Sequence, residues 1–351
     1  MIFRQLYTDS NHAKQRSLVI AFVLFLLPIS LLLALCFGTI PLSFSDVFSS
    51  LFSFSEDDRN NLIINQIRLP RALLSAIVGA LLGICGAATQ GLFRNPLADP
   101  SLIGVTAGAS AGAALMIFFS SSTLLLQGLL GISLISVGAF AGGSLAVLLV
   151  YKLSTNHTGT SVATMLLAGI AITVIAGGLT SLVEFFASNE MLRRISLWRM
   201  GGLDGANYQR VAIAVLIALI VFIFLPKFST TLNALLLGES EARHLGISVQ
   251  KSKMQIILLV AAGVGISVAL AGSITFVGLV VPHIIRLLIG PDHRYLLPIS
   301  ALGGAILLLL ADTLARTLFS PIELPVGLVT ALLGAPFFIS LLRHRHDFGM
   351  Q

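Results

Sequence analysis

The chain contains ten apolar stretches, at 17–38, 69–93, 101–119, 124–151, 161–183, 208–225, 254–271, 274–290, 295–314 and 322–342. Each is close to the roughly 20 residues a helix needs to cross a bilayer. Hydrocarbon offers no partner to backbone N–H and C=O groups, so stretches of this kind are confined to helices, whose hydrogen bonds close within the segment. Composition closes off a water-soluble fold, because 56% of the 351 residues are hydrophobic and only 10% are charged. The expectation is an all-α polytopic membrane protein with ten transmembrane helices, forming a single transmembrane domain over 1–351.

An even number of spans puts both termini on one side, and charge chooses which. With the N-terminus inside, thirteen of the 21 Lys and Arg fall in cytoplasmic segments, and the outer segments hold the other eight together with most of the acids. That bias predicts cytoplasmic termini. The net charge of +6 is then a topology signal, and nucleic acid is not called for as a partner. The first span follows Arg4, Lys14 and Arg16 as a signal peptide would, but no small-residue cleavage site comes after it, so it reads as an uncleaved helix. Cys36 and Cys85 both lie in apolar runs, which indicates neither a disulfide framework nor a metal centre.

One long polar interruption separates two very apolar halves, the stretch 226–253, PKFSTTLNALLLGESEARHLGISVQKSK. Leu232, Leu235, Leu236 and Leu245 recur near helical spacing, Glu239, Ser240, Glu241, Arg243 and His244 cluster, and Gly238 and Gly246 bracket a helix-sized unit. Lys227, Lys251 and Lys253 flank it and assign it to the cytoplasm. Two readings are open: a loop that joins two spans, or a charged helical ledge on which another protein docks.

Elsewhere Arg68 and Arg71 bracket Pro70 at the outer start of the second span, as interfacial anchors or as docking points for acidic residues of an external partner. The second span is dense in small residues, from Ser75 to Ala88, and the third carries Gly104, Gly108 and Gly112, so both are expected to pack closely against neighbours. Asn95, Pro96, Asp99 and Pro100 predict a tight inner turn. Residues 78–104 and 264–290 share eight identities at a shift of 186, in spans that run in opposite directions, which hints at an inverted internal repeat of the kind found in transporters. Arg193, Arg194 and Trp198 belong to an outer amphipathic segment, read as an interfacial anchor or as the wall of a vestibule that meets an anionic cargo. His283 reads as a packing residue, and Asp312 with Arg316 as a local pair one helical turn apart.

Several chemistries have no motif here. There is no GxxxxGK[ST] phosphate loop, no HExxH and no GxSxG. Ion-coupled carriers use ionisable groups at mid-membrane depth, whereas here the charges cluster at span ends. A permease driven by a separate motor fits better than an ion-coupled secondary transporter or a membrane enzyme acting on lipid.

The motifs RLPR at 68–71, QGLFRNPLADPSLIG at 90–104, LLLGESEARHLGI at 235–247, FVGLVVPHIIRLLIGPDHR at 276–294 and LPVGLVTALLGAPFF at 324–338 resemble the permease subunits of iron-chelate and vitamin B12 importers, the FecCD family of ABC transporters. The resemblance covers nearly the whole chain from about residue 18. It implies a BtuC-like permease fold in the bacterial inner membrane, with a second permease copy, identical or similar, two cytoplasmic ATPases that bind ATP and Mg2+, and a periplasmic substrate-binding protein. This chain itself would hold no cofactor, metal or catalytic residue. Its cargo would be a ferric siderophore or haem, with vitamin B12 the alternative. The family's coupling helix matches this chain so that Glu239, Glu241, Ala242, Leu245 and Gly246 meet the ATPase, while Arg68, Arg71 and Arg316 match the outer docking arginines. The common form of the loop begins GEE, and here Ser240 replaces the second acid.

Overall fold

The computed structural model describes residues 2–52, 59–121, 129–156 and 159–347. In chain order the helices are α1 (Ile2–Cys36), α2 (Phe44–Phe52), α3 (Arg59–Leu62), α4 (Leu69–Leu92), α5 (Val105–Ser121), α6 (Leu129–Ser154), α7 (Val162–Phe186) and α8 (Asn189–Met200). They continue as α9 (Tyr208–Phe224), α10 (Ser229–Leu237), α11 (Glu239–His244), α12 (Val249–Ala271), α13 (Val277–Ile289), α14 (His293–Thr317) and α15 (Val326–Asp347). Two short strands, β1 (Thr155–Asn156) and β2 (Gly159–Thr160), pair antiparallel between α6 and α7.

Among the described residues seven helical segments are long and apolar enough to span a bilayer, α9 counting together with its continuation through α10 (Tyr208–Leu237), and three shorter apolar helices, α5, α13 and α15, complete the ten predicted stretches. The eighth predicted span, 274–290, is helical only from Val277. Gly272 and Phe276 hold positive φ angles of 68° and 67°, and the chain between them is not helical. The remaining 13 residues of α13 rise about 20 Å, short of the roughly 30 Å hydrocarbon core. The same break bears on the suggested repeat. At that shift 78–85 and 264–271 are helical and run in opposite directions, but 86–90 is helix interior where 272–276 is a break and α13 then runs the same way as α4, so the register does not match like elements over its length.

α4 is the central post, packing against α14, α13, α12, α9 and α1. Its small residues allow the approach: a methyl group added at Gly79 would lie 2.3 Å from the Gly304 carbonyl oxygen, so the α4 and α14 backbones touch there without intervening side chains. α5 and α6 meet in the same way at Gly108, Gly112, Gly138 and Gly142. Gly104, by contrast, lies outside α5, closing the 3-10 turn Pro100–Ile103 at φ 78°.

The helix ends sort into two groups. One, the loop end, gathers Arg94, the strand pair, α10 and α11. There Arg16 donates to the Ile289 carbonyl at 3.1 Å and its guanidinium lies 5.2 Å from the centre of the Tyr295 ring. The other, the far end, gathers the close of α1, the starts of α4 and α9, α8, and the junction of α14 with α15. The predicted inner turn is present at the loop end, where the Asp99 carboxylate accepts from the Ser101 N–H at 2.8 Å. Part of the SEDDRNN patch, residues 55–58, lies outside the described residues, as do His157 and Thr158 and the side chains of the basic C-terminal tail.

Candidate functional site

At the loop end α9 runs through a 3-10 turn, Leu225–Phe228, directly into α10. Gly238, at φ 124°, ends α10, and Gly246, at φ 81°, follows α11; both conformations are strained for residues with a Cβ. The bracketed unit read from the sequence is therefore α11. Its surface is mixed. Leu236, Leu237 and Leu245 are exposed, Leu245 to 66%, beside exposed Ser240, Glu241, Arg243 and His244.

Two of the five residues expected to meet an ATPase face inward instead. Ala242 is fully buried and seats α11 on the core with Leu232 and Leu235. Glu239 turns its carboxylate back to Lys253, Oε1 to Nζ 2.5 Å, with Arg243 a looser neighbour at 3.9 Å. Glu241, Leu245 and Gly246 remain on the exposed surface. Lys253, read from the sequence as one of the positive charges flanking the ledge, is 1% exposed and belongs to α12; it also donates to the Thr160 carbonyl at 2.9 Å. A buried ammonium persists only when charge and hydrogen bonds replace water, and this geometry supplies both.

The ledge is fixed a second time through α10. Asn233 Nδ2 donates to Asp292 Oδ1 at 2.7 Å, and Asn233 Oδ1 accepts the His293 backbone N–H at 2.9 Å. The same oxygen lies 2.8 Å from His293 Nδ1, and since an amide oxygen only accepts, that nitrogen carries the proton. Burial works to raise the Asp292 carboxyl, but the bonds from the Arg294 N–H and Asn233, with the charges of Arg294 and Arg16, hold it below the usual carboxylate range. Thus α10 is tied to α14, and α11 to α12.

At the far end the three expected docking arginines are brought together, but buried. Arg68 donates to the Leu35 and Cys36 carbonyls, at 2.6 and 2.9 Å, and to that of Ile40, closing the end of α1. Arg71 grips Asp312 with Nε and Nη2 at 2.9 to 3.1 Å and reaches Glu323 at 2.7 Å. Arg316 pairs with Asp312 at 3.2 Å, the local pair read from the sequence, and donates to the Ala34 carbonyl at 3.0 Å. Their guanidiniums satisfy helix-end carbonyls and one shared carboxylate, so they brace α1, α4 and α14. Glu323, with its side chain 37% exposed, is the group of this network most open to the surroundings.

The outer trio Arg193, Arg194 and Trp198 lies on α8. Arg194 and Trp198 line a cavity of about 270 Å3 together with Asp204, Arg210 and the end of α12; Arg193 is exposed and outside its walls. On the same helix Arg199 pairs with Glu184 of α7 at 3.2 Å. His283 is buried in α13. Sequence reasoning misses Lys253, Gln250, Thr160, Asn233 and Glu323, whose partners are, for most, far away along the chain.

A profile of the FecCD transport family matches residues 26–344. The chain is 42% identical over 337 residues to the hemin transport system permease protein HmuU of Yersinia pestis, covering 96% of this chain and 98% of that protein. It is 40% identical over 298 residues to the cobalamin import system permease protein BtuC of Halobacterium salinarum, covering 85% of this chain and 78% of that protein. Among solved structures, a metal-chelate-type ABC transporter in an inward-facing conformation superposes with a TM-score of 0.82 at 32% identity, over 93% of this chain and 99% of the other.

Proposed function

The chain belongs to the FecCD transport family, and on that premise we propose that it is the membrane-spanning permease of an ATP-driven importer whose cargo is an iron chelate, haem first. The observation that carries the motor-driven part of this reading is the α10–α11 ledge. Leu236, Leu237 and Leu245 stand exposed beside charged side chains on a segment tied to α12 and α14, the combination expected of a surface that another protein covers. Two ATPases, carrying ATP and Mg2+, dock there from the cytoplasm, which also holds both termini. A second permease copy completes the pathway in the bacterial inner membrane, with Arg194, Trp198 and the α8 cavity at its outer mouth. The substrate-binding protein docks on the far end, on the surface that Arg68, Arg71 and Arg316 brace and where Glu323 is open to it.

Haem is preferred because the haem permease aligns along almost the whole chain, while the cobalamin permease aligns over 85% of it. Cobalamin is the second reading. The test uses the assembled complex in lipid nanodiscs with its binding protein, and reads ATP hydrolysis on adding hemin or cobalamin. Stimulation by hemin and not by cobalamin is the expected result. Stimulation by cobalamin alone reverses the order. Uptake by this chain by itself, driven by a proton or sodium gradient without ATPases, would replace the whole reading with a secondary transporter.

A further inference from the structure

The strands β1 and β2 join α6 to α7 and are distant in sequence from the ledge, yet both meet at one side chain. Lys253 Nζ is 2.5 Å from the Glu239 carboxylate of α11 and 2.9 Å from the Thr160 carbonyl of β2. Gln250 lies one turn earlier on the same face of α12, and its Oε1 accepts the Thr160 N–H at 2.7 Å. The backbone of Thr160 is therefore held at both its N–H and its C=O by two side chains of one helix. The hold is close: a methyl group at Gly159 would come within 2.3 Å of the Gln250 amide, and the Thr155 and Thr160 hydroxyls bond across the strand pair at 2.9 Å. Since the ammonium is shut away from water, separating α11 from β2 would strip it of one of its two partners with little solvent to replace it.

We propose that Lys253, with Gln250, is a positioning residue that makes α11, α12 and the β1–β2 strands move as one body, so that a pull on the ledge reaches α6 and α7 as well as α12. This rests on the reading of α11 as the place where an ATPase docks. Without the cross-tie, the only remaining route from the ledge to α6 and α7 among the described residues is the packing of α12 on its neighbours, and the β1–β2 strands no longer follow α11.

The test uses the full complex in nanodiscs with spin-label pairs, one at Ser240→Cys with Leu318→Cys on the far end, the other at Asn156→Cys with Leu318→Cys. Distances are read before and after adding Mg-ATP with orthovanadate. In the parent protein both distances shift. In Lys253→Met the ATPases stay bound and the Ser240 distance still shifts, but the Asn156 shift is lost; Lys253→Arg, which keeps the charge and a donor, restores it. Full shifts of both labels in Lys253→Met overturn the proposal, as does release of the ATPases, which would make Lys253 part of the docking surface. If Lys253→Met does not assemble, Gln250→Ala leaves the ion pair intact and must still shrink the Asn156 shift alone; an undiminished shift there also overturns it. Leu245→Asp is the control for the underlying reading: its substitution is at an exposed position and is expected to release the ATPases, and if it leaves them bound the docking reading fails, whatever Lys253 does.

Discussion

Replacing Asp312 by Ala is expected to destabilise the purified protein by about 3–5 kcal/mol, the range for breaking one side of a buried ion pair. Asp312 is 1% exposed and takes hydrogen bonds from Arg71 while pairing with Arg316. Its loss would leave two guanidiniums facing each other, held by the Glu323 carboxylate and by the main-chain carbonyls of Ala34 and of position 312. The helices α4 and α14, and the end of α1 that Arg316 holds, would loosen together. Thermal unfolding in detergent measures this. Asp312→Asn keeps an acceptor but not the charge, and should fall between the parent and Asp312→Ala. A change smaller than about 1 kcal/mol, as for exposed ion pairs, would mean that the cluster is solvated and not a brace.

Gly79→Leu is expected to act as strongly through shape alone. Its Cβ would sit 2.3 Å from the Gly304 carbonyl oxygen and 2.9 Å from the Leu308 Cβ, and a backbone atom cannot step aside as a side-chain tip can. The α4–α14 contact must open, at the upper end of or beyond the roughly 1–3 kcal/mol seen when cores are overpacked. Loss of the folded, monodisperse species on size exclusion, against a normal profile for Gly177→Leu, checks it: nothing lies within 4 Å of a Cβ at Gly177. Equal behaviour of the two variants would show that α4 and α14 are not in backbone contact.

What the sequence discloses and what it hides follow the range of the interactions. Hydrophobic length is a local property, and the apolar helices appear close to where it predicts them, although α5, α13 and α15 begin three or four residues late and residues 124–128 of the fourth stretch lie outside the described residues; before α13, Gly272 and Phe276 adopt conformations that hydropathy does not register. The ledge is readable because Gly238 and Gly246 are local punctuation. The Asp312–Arg316 pair is readable because its spacing is one helical turn. Arg71 meets Asp312 from 241 residues away and Lys253 meets Thr160 from 93, so no window on the sequence contains both partners. For this reason Arg68, Arg71, Arg316 and Lys253, all basic residues at span ends, read as anchors, docking points, a local pair or flanking charge and are in fact buried: each is drawn inward by carbonyls or a carboxylate contributed by another part of the chain. Ala242 and Glu239 err in the same direction. In a six-residue helix that lies on the core, one face must be spent on attachment, and only the packed structure says which.

The proposed function requires that an ATPase cover the exposed side of α11 on the cytoplasmic side of the membrane. Leu245→Cys reads it directly, since Cys36 and Cys85 are buried and contribute little background. A membrane-impermeant maleimide should label Leu245→Cys in inverted membrane vesicles stripped of ATPase and not in intact spheroplasts, and rebinding the ATPase should protect it. Labelling from the outside of spheroplasts, or labelling of inverted vesicles that bound ATPase does not diminish, would contradict the claim.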